Sequence, residues 1–430
     1  MKNNPSHSLD NLLELYREST GSTAVEASSI TGSASQRRYY HLHGTTPLVG
    51  VIGNDIAENE AFIHIGNILA QHSINVPKII NVSNDRTMYL QDDLGDTTLY
   101  DLINRDGFTP HVITLCKKSI NQLVKLQTSG AIHIDTSFCF PVSSMTGDSV
   151  MWDLNYFKYC FLKNQTQHID EPLLEQEFKR LVSIIEGASP LLFIHRDFQS
   201  RNILIHDSDA WIIDFQGGRR GPALYDIVSF LWQARANFPD SVRRQLLNYY
   251  IRTLDQYIQL PADLLDTQLD YIIIFRMLQV LGAYGFRGLI QQNQRFITHI
   301  PQALKCLSDS LKKCNHNFPY LSKIIESLAD THTIDSHHYD QDQSTLTVTV
   351  YSFSYKQGIP ADNSGNGGGF VFDCRAIHNP GRYDRYKHLT GNDLPVMEFL
   401  EQDGEITRFL NHCKALVDAS VQRYISRGFT

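Results

Sequence analysis

The segment His195–Asn202 contains an aspartate and an asparagine, Asp197 and Asn202, five positions apart. On a tight loop this spacing lets the Asp197 carboxylate accept a hydrogen bond from a substrate hydroxyl while the Asn202 amide oxygen faces a metal ion. Asp214 follows twelve residues later, ends an apolar run and precedes Phe215-Gln216-Gly217. A carboxylate there is suited to bridge Mg2+ to phosphate groups. Together the three side chains predict phosphoryl transfer, which depends on positioning a hydroxyl and neutralising phosphate charge.

The order of these motifs, HRDxxxxN and then Asp-Phe-x-Gly, resembles the catalytic and metal-binding loops of protein-kinase-like enzymes. With the segment Gly221–Asp226, the chain resembles the aminoglycoside-phosphotransferase superfamily from about residue 10 to about residue 325. The resemblance implies an α+β, two-lobed kinase fold with a small β-rich lobe and a mostly helical lobe, using ATP and Mg2+. It also implies that Asp226 holds the catalytic loop, although a helix N-cap is an equal alternative.

Small residues at 32–35 stand where a phosphate-binding loop is expected between the first strands, because they let backbone N–H groups approach phosphates. The following strand, 47–53, lacks the lysine that pairs with the phosphates in relatives. Arg37 or Arg38 could replace it, since neighbouring strand residues point to opposite faces, with Glu58 or Glu60 as partner. The backbone of 89–96 is expected to hold adenine. The expected nucleotide contacts are Gly32, Ser33, Ser35, Arg38, Glu58, Gln91 and Asp92.

Within the superfamily, the ENxAF helix start, the QDDLGD segment and WDLNYFKYCFLK (152–163) resemble AmgK-type sugar kinases. Those enzymes phosphorylate the anomeric hydroxyl of N-acetylmuramate or N-acetylglucosamine in peptidoglycan recycling. The segment 152–158 combines aromatic and polar groups suited to a sugar, although an amphipathic helix has the same pattern. Arg287 suits a lactyl carboxylate, or else a structural salt bridge. The expected substrate contacts are Asp153, Asn155, Tyr156 and Arg287.

Hydrophobic patterning places these residues on a nucleotide-binding lobe at 9–95 and a helical catalytic lobe at 96–330. In the first lobe we predict strands at 37–42, 47–52, 76–82 and 87–91 around one helix. The polar stretch 331–344 predicts a linker. Alternation at 345–351 and 370–375 predicts two strands of a small C-terminal α/β domain that spans 345–430.

This last domain resembles the C-terminal part of RapZ-type proteins through Tyr351–Pro360, Phe372–Pro380 and Val396–Leu400. That family is linked to sensing an amino-sugar phosphate and to RNA binding. Residues 345–430 contain nine basic and nine acidic side chains, which gives no broad positive surface for RNA. The sequence ends before the glycine-rich loop of that family, so a truncated domain is expected.

The whole chain has 430 residues and a net charge of -8, which excludes strong general attraction to nucleic acid or an anionic membrane. Its seven cysteines have no zinc-binding spacing, and the N-terminus lacks the apolar core of a signal peptide. We therefore expect a cytoplasmic enzyme with a small-molecule substrate. Two alternatives remain: a kinase for an aminoglycoside, choline or another small alcohol, favoured by an acidic acceptor cleft, and a pseudokinase-like scaffold with a ligand-sensing or RNA-binding C-terminal domain.

Overall fold

The computed structural model describes residues 5–22, 26–30, 37–166, 168–291, 293–337, 348, 350–353, 358–359, 369–389, 391, 393–401 and 404–426. The chain divides into two compact units, Met1–Ser336 and His337–Thr430.

The first unit begins with an antiparallel sheet in the order β1-β2-β3-β5-β4. Its strands are β1 Glu26–Ile30, β2 Arg38–His43, β3 Leu48–Ile52, β4 Ile79–Val82 and β5 Met88–Asp92. Helices α1 (Pro5–Thr20) and α2 (Ile56–Gln71) accompany the sheet. Asp55 begins α2 because its carboxylate accepts a hydrogen bond from the Glu58 amide. Strand β1 was not predicted, because its sequence EASSI has little apolar alternation.

The rest of the first unit is mostly helical and contains two small antiparallel sheets of two strands each. Its helices are α3 Leu99–Asp106, α4 Pro110–Lys125, α5 Gly147–Phe157, α6 Lys163–Gln165, α7 Glu171–Glu186, α8 Leu224–Leu231, α9 Asp240–Leu254, α10 Leu264–Tyr284, α11 Gln294–Ile297, α12 Ile300–Lys313 and α13 Pro319–His337. Strand β6 (Leu191–Ile194) pairs with β9 (Arg219–Pro222), and β7 (Ile203–His206) pairs with β8 (Asp209–Ile212). The sequence did not predict β9.

Helix α10 continues through a π-helical turn, Gly285–Ile290, and forms the centre of the helical lobe. The stretch Leu264–Ile290 is apolar and long enough to span a membrane, but 72% of its most apolar window is buried inside the fold. It is therefore a core helix. A Cβ at Gly285 would clash with the Cys160 carbonyl oxygen, so glycine permits the close approach of this turn to the π-helical turn that follows α5.

Helix α13 extends into the segment that was predicted to be a linker. It reaches His337, so the predicted linker 331–344 begins inside a helix. Its sequence THTIDSH is polar, but it contains no proline or glycine that would end a helix.

The second unit has helices α14 (Leu394–Glu401) and α15 (Glu405–Ser426), preceded by single 3-10 turns. The prediction of strands at 345–351 and 370–375 is wrong for the residues that the structure describes there. Residues 370–373 have no regular structure and Cys374–Ala376 form a 3-10 turn. Phe370 and Val371 are exposed, so the alternation of this segment does not reflect a buried sheet face.

Candidate active site

Asp226 and His195 fix the loop that follows β6. The Asp226 carboxylate, buried in α8, accepts hydrogen bonds from the backbone N–H groups of His195 (2.7 Å) and Arg196 (3.0 Å). The Asp197 N–H donates to His195 Nδ1 at 3.2 Å, so Nε2 carries the proton and donates to the Ile213 carbonyl at 2.9 Å. His195 thus joins the catalytic loop to the strand end before Asp214, and Asp226 braces the loop rather than capping a helix. Burial raises the pKa of Asp226 to about 6.

Asp197 lies at the centre of this loop and receives donors on both carboxylate oxygens. Oδ1 accepts from Gln199 at 2.7 Å and from Arg276 at 2.9 Å, and Oδ2 accepts from Arg201 at 2.8 Å and from Asn202 at 3.1 Å. Burial opposes ionisation of Asp197, but Arg201 and Arg276 outweigh it and hold its pKa well below the usual range. Because its side chain is still 31% exposed, a substrate hydroxyl can reach this ionised carboxylate.

Asn202 and Asp214 flank the β7–β8 hairpin and come together at its open end. The Asn202 amide donates to Asp214 Oδ2 at 3.4 Å and also to Asp197, while Gln216 donates to Asp214 Oδ1 at 2.9 Å. Asp214 has a left-handed backbone, with φ of 65°, the kind of strain found at functional sites. Among the described residues no group of three His, Cys, Asp or Glu side chains could form a metal cage. One carboxylate with one amide instead suits Mg2+, which keeps water and phosphate ligands.

A polar chain connects this pair to the first lobe. Gln216 also approaches Glu58 Oε1 at 3.4 Å, and Glu58 forms an ion pair of 3.4 Å with Arg37. Arg37 Nη2 donates in addition to the Glu58 backbone oxygen at 2.9 Å, and its side chain is 1% exposed. Of the two candidate arginines, Arg37, just before β2, is the one that pairs with Glu58. Arg38 is half-buried at the start of β2, and its contact with the nucleotide stays a prediction. Of the two candidate carboxylates, Glu60 pairs instead with Arg86.

Phe215, next to Asp214 and Gln216, packs this segment against α2. Its ring stacks on Phe62 with centroids 4.4 Å apart, and a Cβ at Gly66 would lie 3.1 Å from the ring. Phe215 thus holds the segment that carries Asp214 against the helix that carries Glu58.

The remaining expected nucleotide contacts divide into three groups. Gly32, Ser33 and Ser35 lie outside the described residues. Gln91 is buried on β5, and its Oε1 has no hydrogen-bond partner among the described residues. Asp92 accepts from the Lys78 backbone N–H at 3.2 Å.

The segment that follows β5 is tied to β2 by His41, whose ring nitrogens lie 2.7 Å from Asp93 and 2.9 Å from Asp96. Although burial alone lowers it, the hydrogen bonds to these carboxylates raise the pKa of His41.

The four expected substrate residues lie on α5 and on the π-helical turn after α10. Asp153 accepts a hydrogen bond from Gln279 at 2.6 Å and forms an ion pair with Arg196 at 3.3 Å. Because Arg276 donates to both Gln279 and Asp197, Asp153 is connected to Asp197 through Gln279 and Arg276. Asn155 is half-buried on the same helix. Tyr156 is 39% exposed, with its ring 6.1 Å from Phe286. Arg287 is half-buried with its guanidinium over Phe296, and no carboxylate of the described residues forms a salt bridge with it.

Several site residues were missed from the sequence: Arg201, Gln216, Tyr225, Arg276 and Gln279. Tyr225 donates to Gln279 at 2.7 Å and accepts from Arg276 at 3.3 Å, which completes a buried network next to Asp197. The available signal was the pair Arg276 and Gln279, three positions apart on one face of an otherwise apolar helix. Buried polar groups at that spacing require partners, and the partner of Arg276 is the Asp197 carboxylate.

Comparisons with known proteins agree with this geometry. A family model described as the phosphotransferase enzyme family matches residues 26–260, and one described as the RapZ C-terminal domain matches residues 346–430. An N-acetylmuramate/N-acetylglucosamine kinase from Pseudomonas aeruginosa is 22% identical over 308 residues, covering 70% of this chain and 86% of the relative. A nucleotide-binding protein from Acidithiobacillus ferrooxidans is 40% identical over 76 residues, covering 18% of this chain and 22% of the relative.

Among solved structures, the amicoumacin kinase hAmiN in complex with AMP-PNP, Ca2+ and Ami aligns with a TM-score of 0.51 at 13% identity. The alignment covers 71% of this chain and 93% of that one. At this identity the likeness shows the shared two-lobed, kinase-like fold and no more.

Proposed function

The chain is an ATP-dependent kinase that belongs to the phosphotransferase enzyme family, and on that premise we propose that its acceptor is an N-acetylated amino sugar. The proposed reaction transfers the γ-phosphoryl group of ATP to the anomeric hydroxyl of N-acetylmuramate or N-acetylglucosamine, as in the recycling of cell-wall sugars. The similarity to sugar kinases named for these two acceptors supports the proposal.

One observation carries the choice of acceptor: the proposed catalytic carboxylate is already paired with two arginines. Arg201 and Arg276 both bond to Asp197, and Arg196 lies beside it on the loop and pairs with Asp153. An aminoglycoside or choline would bring more positive charge to this place, where two unit charges 4 Å apart interact by about 4 kcal/mol at an effective dielectric constant near 20. A neutral or anionic sugar avoids this repulsion.

In the proposed mechanism, the ionised Asp197 accepts a hydrogen bond from the anomeric hydroxyl and directs its oxygen toward the γ-phosphate. Arg201 and Arg276 keep that carboxylate deprotonated and fixed in orientation. Asn202 and Asp214 would hold Mg2+, which when bound neutralises charge on the phosphates. Asp153, Asn155 and Tyr156 contact the sugar.

The nucleotide is assigned to the first lobe. The 32–35 segment covers the phosphates, the backbone near Gln91 and Asp92 holds adenine, and Arg37 with Glu58 takes the place of the lysine–glutamate pair of related enzymes. Because Arg37 is almost fully buried, its role is to position Glu58 rather than to contact phosphate in this conformation.

We further assign residues 345–430 to a separate domain that senses a ligand or assists assembly, since the RapZ C-terminal domain model matches it. Nucleic acid remains a possible partner of this domain alone, and no membrane partner is proposed. We propose that the enzyme acts in the cytoplasm, where ATP is available.

The direct test incubates the protein with Mg-ATP and N-acetylmuramate, N-acetylglucosamine, choline or an aminoglycoside, and identifies the product by phosphorus NMR. We expect an anomeric sugar phosphate, and a loss of at least a thousandfold in kcat for Asp197→Asn. Asp207→Asn is the matched control, because Asp207 lies at an exposed hairpin tip. Absence of turnover on both sugars, or faster turnover of choline or the aminoglycoside, would overturn the proposed acceptor. Full activity of Asp197→Asn would overturn the role of Asp197.

A further inference from the structure

Two arginines share one aromatic ring beside the catalytic loop. The guanidinium carbon of Arg235, in the turn after α8, lies 4.6 Å from the centroid of the Phe296 ring, and that of Arg287 lies 5.4 Å from the same centroid. Such contacts offset part of the cost of holding a cation in a partly buried place. We call Arg235 and Arg287 the arginine pair.

The arginine pair has no carboxylate counterion among the described residues. Asp197 interacts electrostatically with Arg287, but each of its carboxylate oxygens already accepts a hydrogen bond from another arginine, Arg201 or Arg276. Burial, and then the positive charge of Arg201, lower the pKa of Arg287. The structural salt bridge that was one interpretation of Arg287 is therefore not formed with any described residue. Two like charges on one ring are stabilised when an anion binds to both.

Each member of the arginine pair has neighbours among the residues assigned to the acceptor site. Arg235 lines a small cavity with Gln199 and Arg276, and both of those side chains bond to Asp197. Arg287 interacts electrostatically with Tyr156 on α5 and with Arg201 on the catalytic loop. An acceptor whose hydroxyl faces Asp197 would thus extend its other substituents toward the pair.

We propose that Arg235 and Arg287 form an anion clamp that binds a negatively charged substituent of the acceptor sugar. The inference rests on the proposed function and narrows its substrate class to acidic amino sugars. A carboxylate on the sugar matches the planar guanidinium groups in a bidentate arrangement. A phosphate on another sugar hydroxyl has the same chemistry. N-acetylmuramate carries such a carboxylate, whereas N-acetylglucosamine is neutral, so the clamp favours the former.

The test compares kcat/KM for N-acetylmuramate, N-acetylglucosamine and N-acetylglucosamine 6-phosphate. In the unaltered protein we expect an acidic sugar to exceed the neutral one by ten- to hundredfold, the usual size of one charge-assisted interaction. Arg235→Gln and Arg287→Gln should each reduce this ratio at least tenfold, mainly through KM for the acidic sugar. Arg287→Lys should retain part of the preference, because lysine keeps the positive charge but lacks the planar pair of donors that binds a carboxylate at two points. Arg252→Gln, an exposed arginine on α9, is the matched control and should leave the ratio unchanged.

The outcomes separate the clamp from the proposed function. Turnover of both N-acetylated sugars with a ratio near one, or a ratio unaffected by either glutamine variant, overturns the clamp while the kinase proposal stands. A preference for the 6-phosphate that the variants abolish supports the clamp with phosphate as its anion. Absence of turnover with every sugar overturns the sugar-kinase proposal and the clamp with it. Thermal unfolding of each variant excludes loss of the fold as the cause of a changed ratio.

Discussion

Replacing Glu58 with alanine should weaken both the stability of the protein and its use of Mg-ATP. Glu58 stands between Arg37, whose side chain is 1% exposed, and Gln216, which bonds to Asp214. The change removes the carboxylate partner of a buried guanidinium and one end of the chain that orients Asp214. Alanine preserves α2, because it has the highest helix propensity.

The magnitude follows from the geometry. Removing one partner of a fully buried ion pair costs about 3–5 kcal/mol. Here the ion pair measures 3.4 Å, Glu58 is 21% exposed, and Arg37 keeps its hydrogen bond to the Glu58 backbone oxygen. We therefore expect a smaller decrease, about 1–2 kcal/mol, in the free energy of unfolding. Loss of a group that orients a metal ligand lowers metal affinity or activity by about 10–100-fold.

The assay measures initial rates at varied Mg2+ and at varied ATP, together with urea unfolding of each protein. Glu60→Ala is the matched control, since Glu60 lies two residues away on the same helix and pairs with the exposed Arg86. A surface pair of that kind contributes roughly 0–1 kcal/mol, so this variant should keep its affinity for Mg-ATP. Equal behaviour of the two variants would refute the reasoning, because it would show that the connection from Glu58 to Asp214 has no role.

Arg276→Gln should raise the pKa of Asp197 and lower kcat at least tenfold with little change in KM for ATP, because the lost donor lies 2.9 Å from the catalytic carboxylate; an unchanged kcat in steady-state assays would contradict this. Burial raises the pKa of Asp226 from its ordinary value of 3.8 to about 6, so the folded state binds more protons between these values and stability falls as pH rises through this window. Asp226→Asn should remove about 3 kcal/mol of this pH dependence, measured by urea unfolding at pH 4 to 7, and an identical slope in both proteins would refute it. Gly285→Ala should destabilise the protein by at least 2 kcal/mol, since its Cβ would meet a backbone oxygen, whereas Gly217→Ala, with open space at its Cβ, should not; equal thermal unfolding temperatures would contradict the packing argument.

The catalytic loop was predictable because its geometry is local. Asp197 and Asn202 are close in sequence, and a short hairpin brings Asp214 back to them, so residue spacing alone constrains the three side chains. By contrast, Arg276 reaches Asp197 across 79 residues of sequence. That contact depends on which face of α10 turns toward the loop, and this is decided by packing of the whole helical lobe.

The choice between Arg37 and Arg38 shows the same limit at smaller scale. Strand alternation predicts that only one of two neighbours points inward, but it does not say which one. In the folded chain, Arg38 is the first residue of β2 and lies opposite Ile52 of β3, whereas Arg37, just before the strand, is the buried arginine. The prediction of strands in the C-terminal domain was wrong for a related reason. Alternation of apolar and polar residues indicates a strand only where a sheet partner and a buried face exist.

The β7–β8 hairpin also has a practical consequence for engineering. Its four paired positions run from Ile203 with Ile212 to His206 with Asp209, and the two-residue turn Asp207–Ser208 has left-handed φ angles of 50° and 62°. Residues added at that turn lengthen only the exposed tip, because the ladder below it holds Asn202 and Asp214 at their separation. The tip is therefore a suitable attachment point for a fluorescent label, because four pairs of strand residues separate it from Asn202 and Asp214.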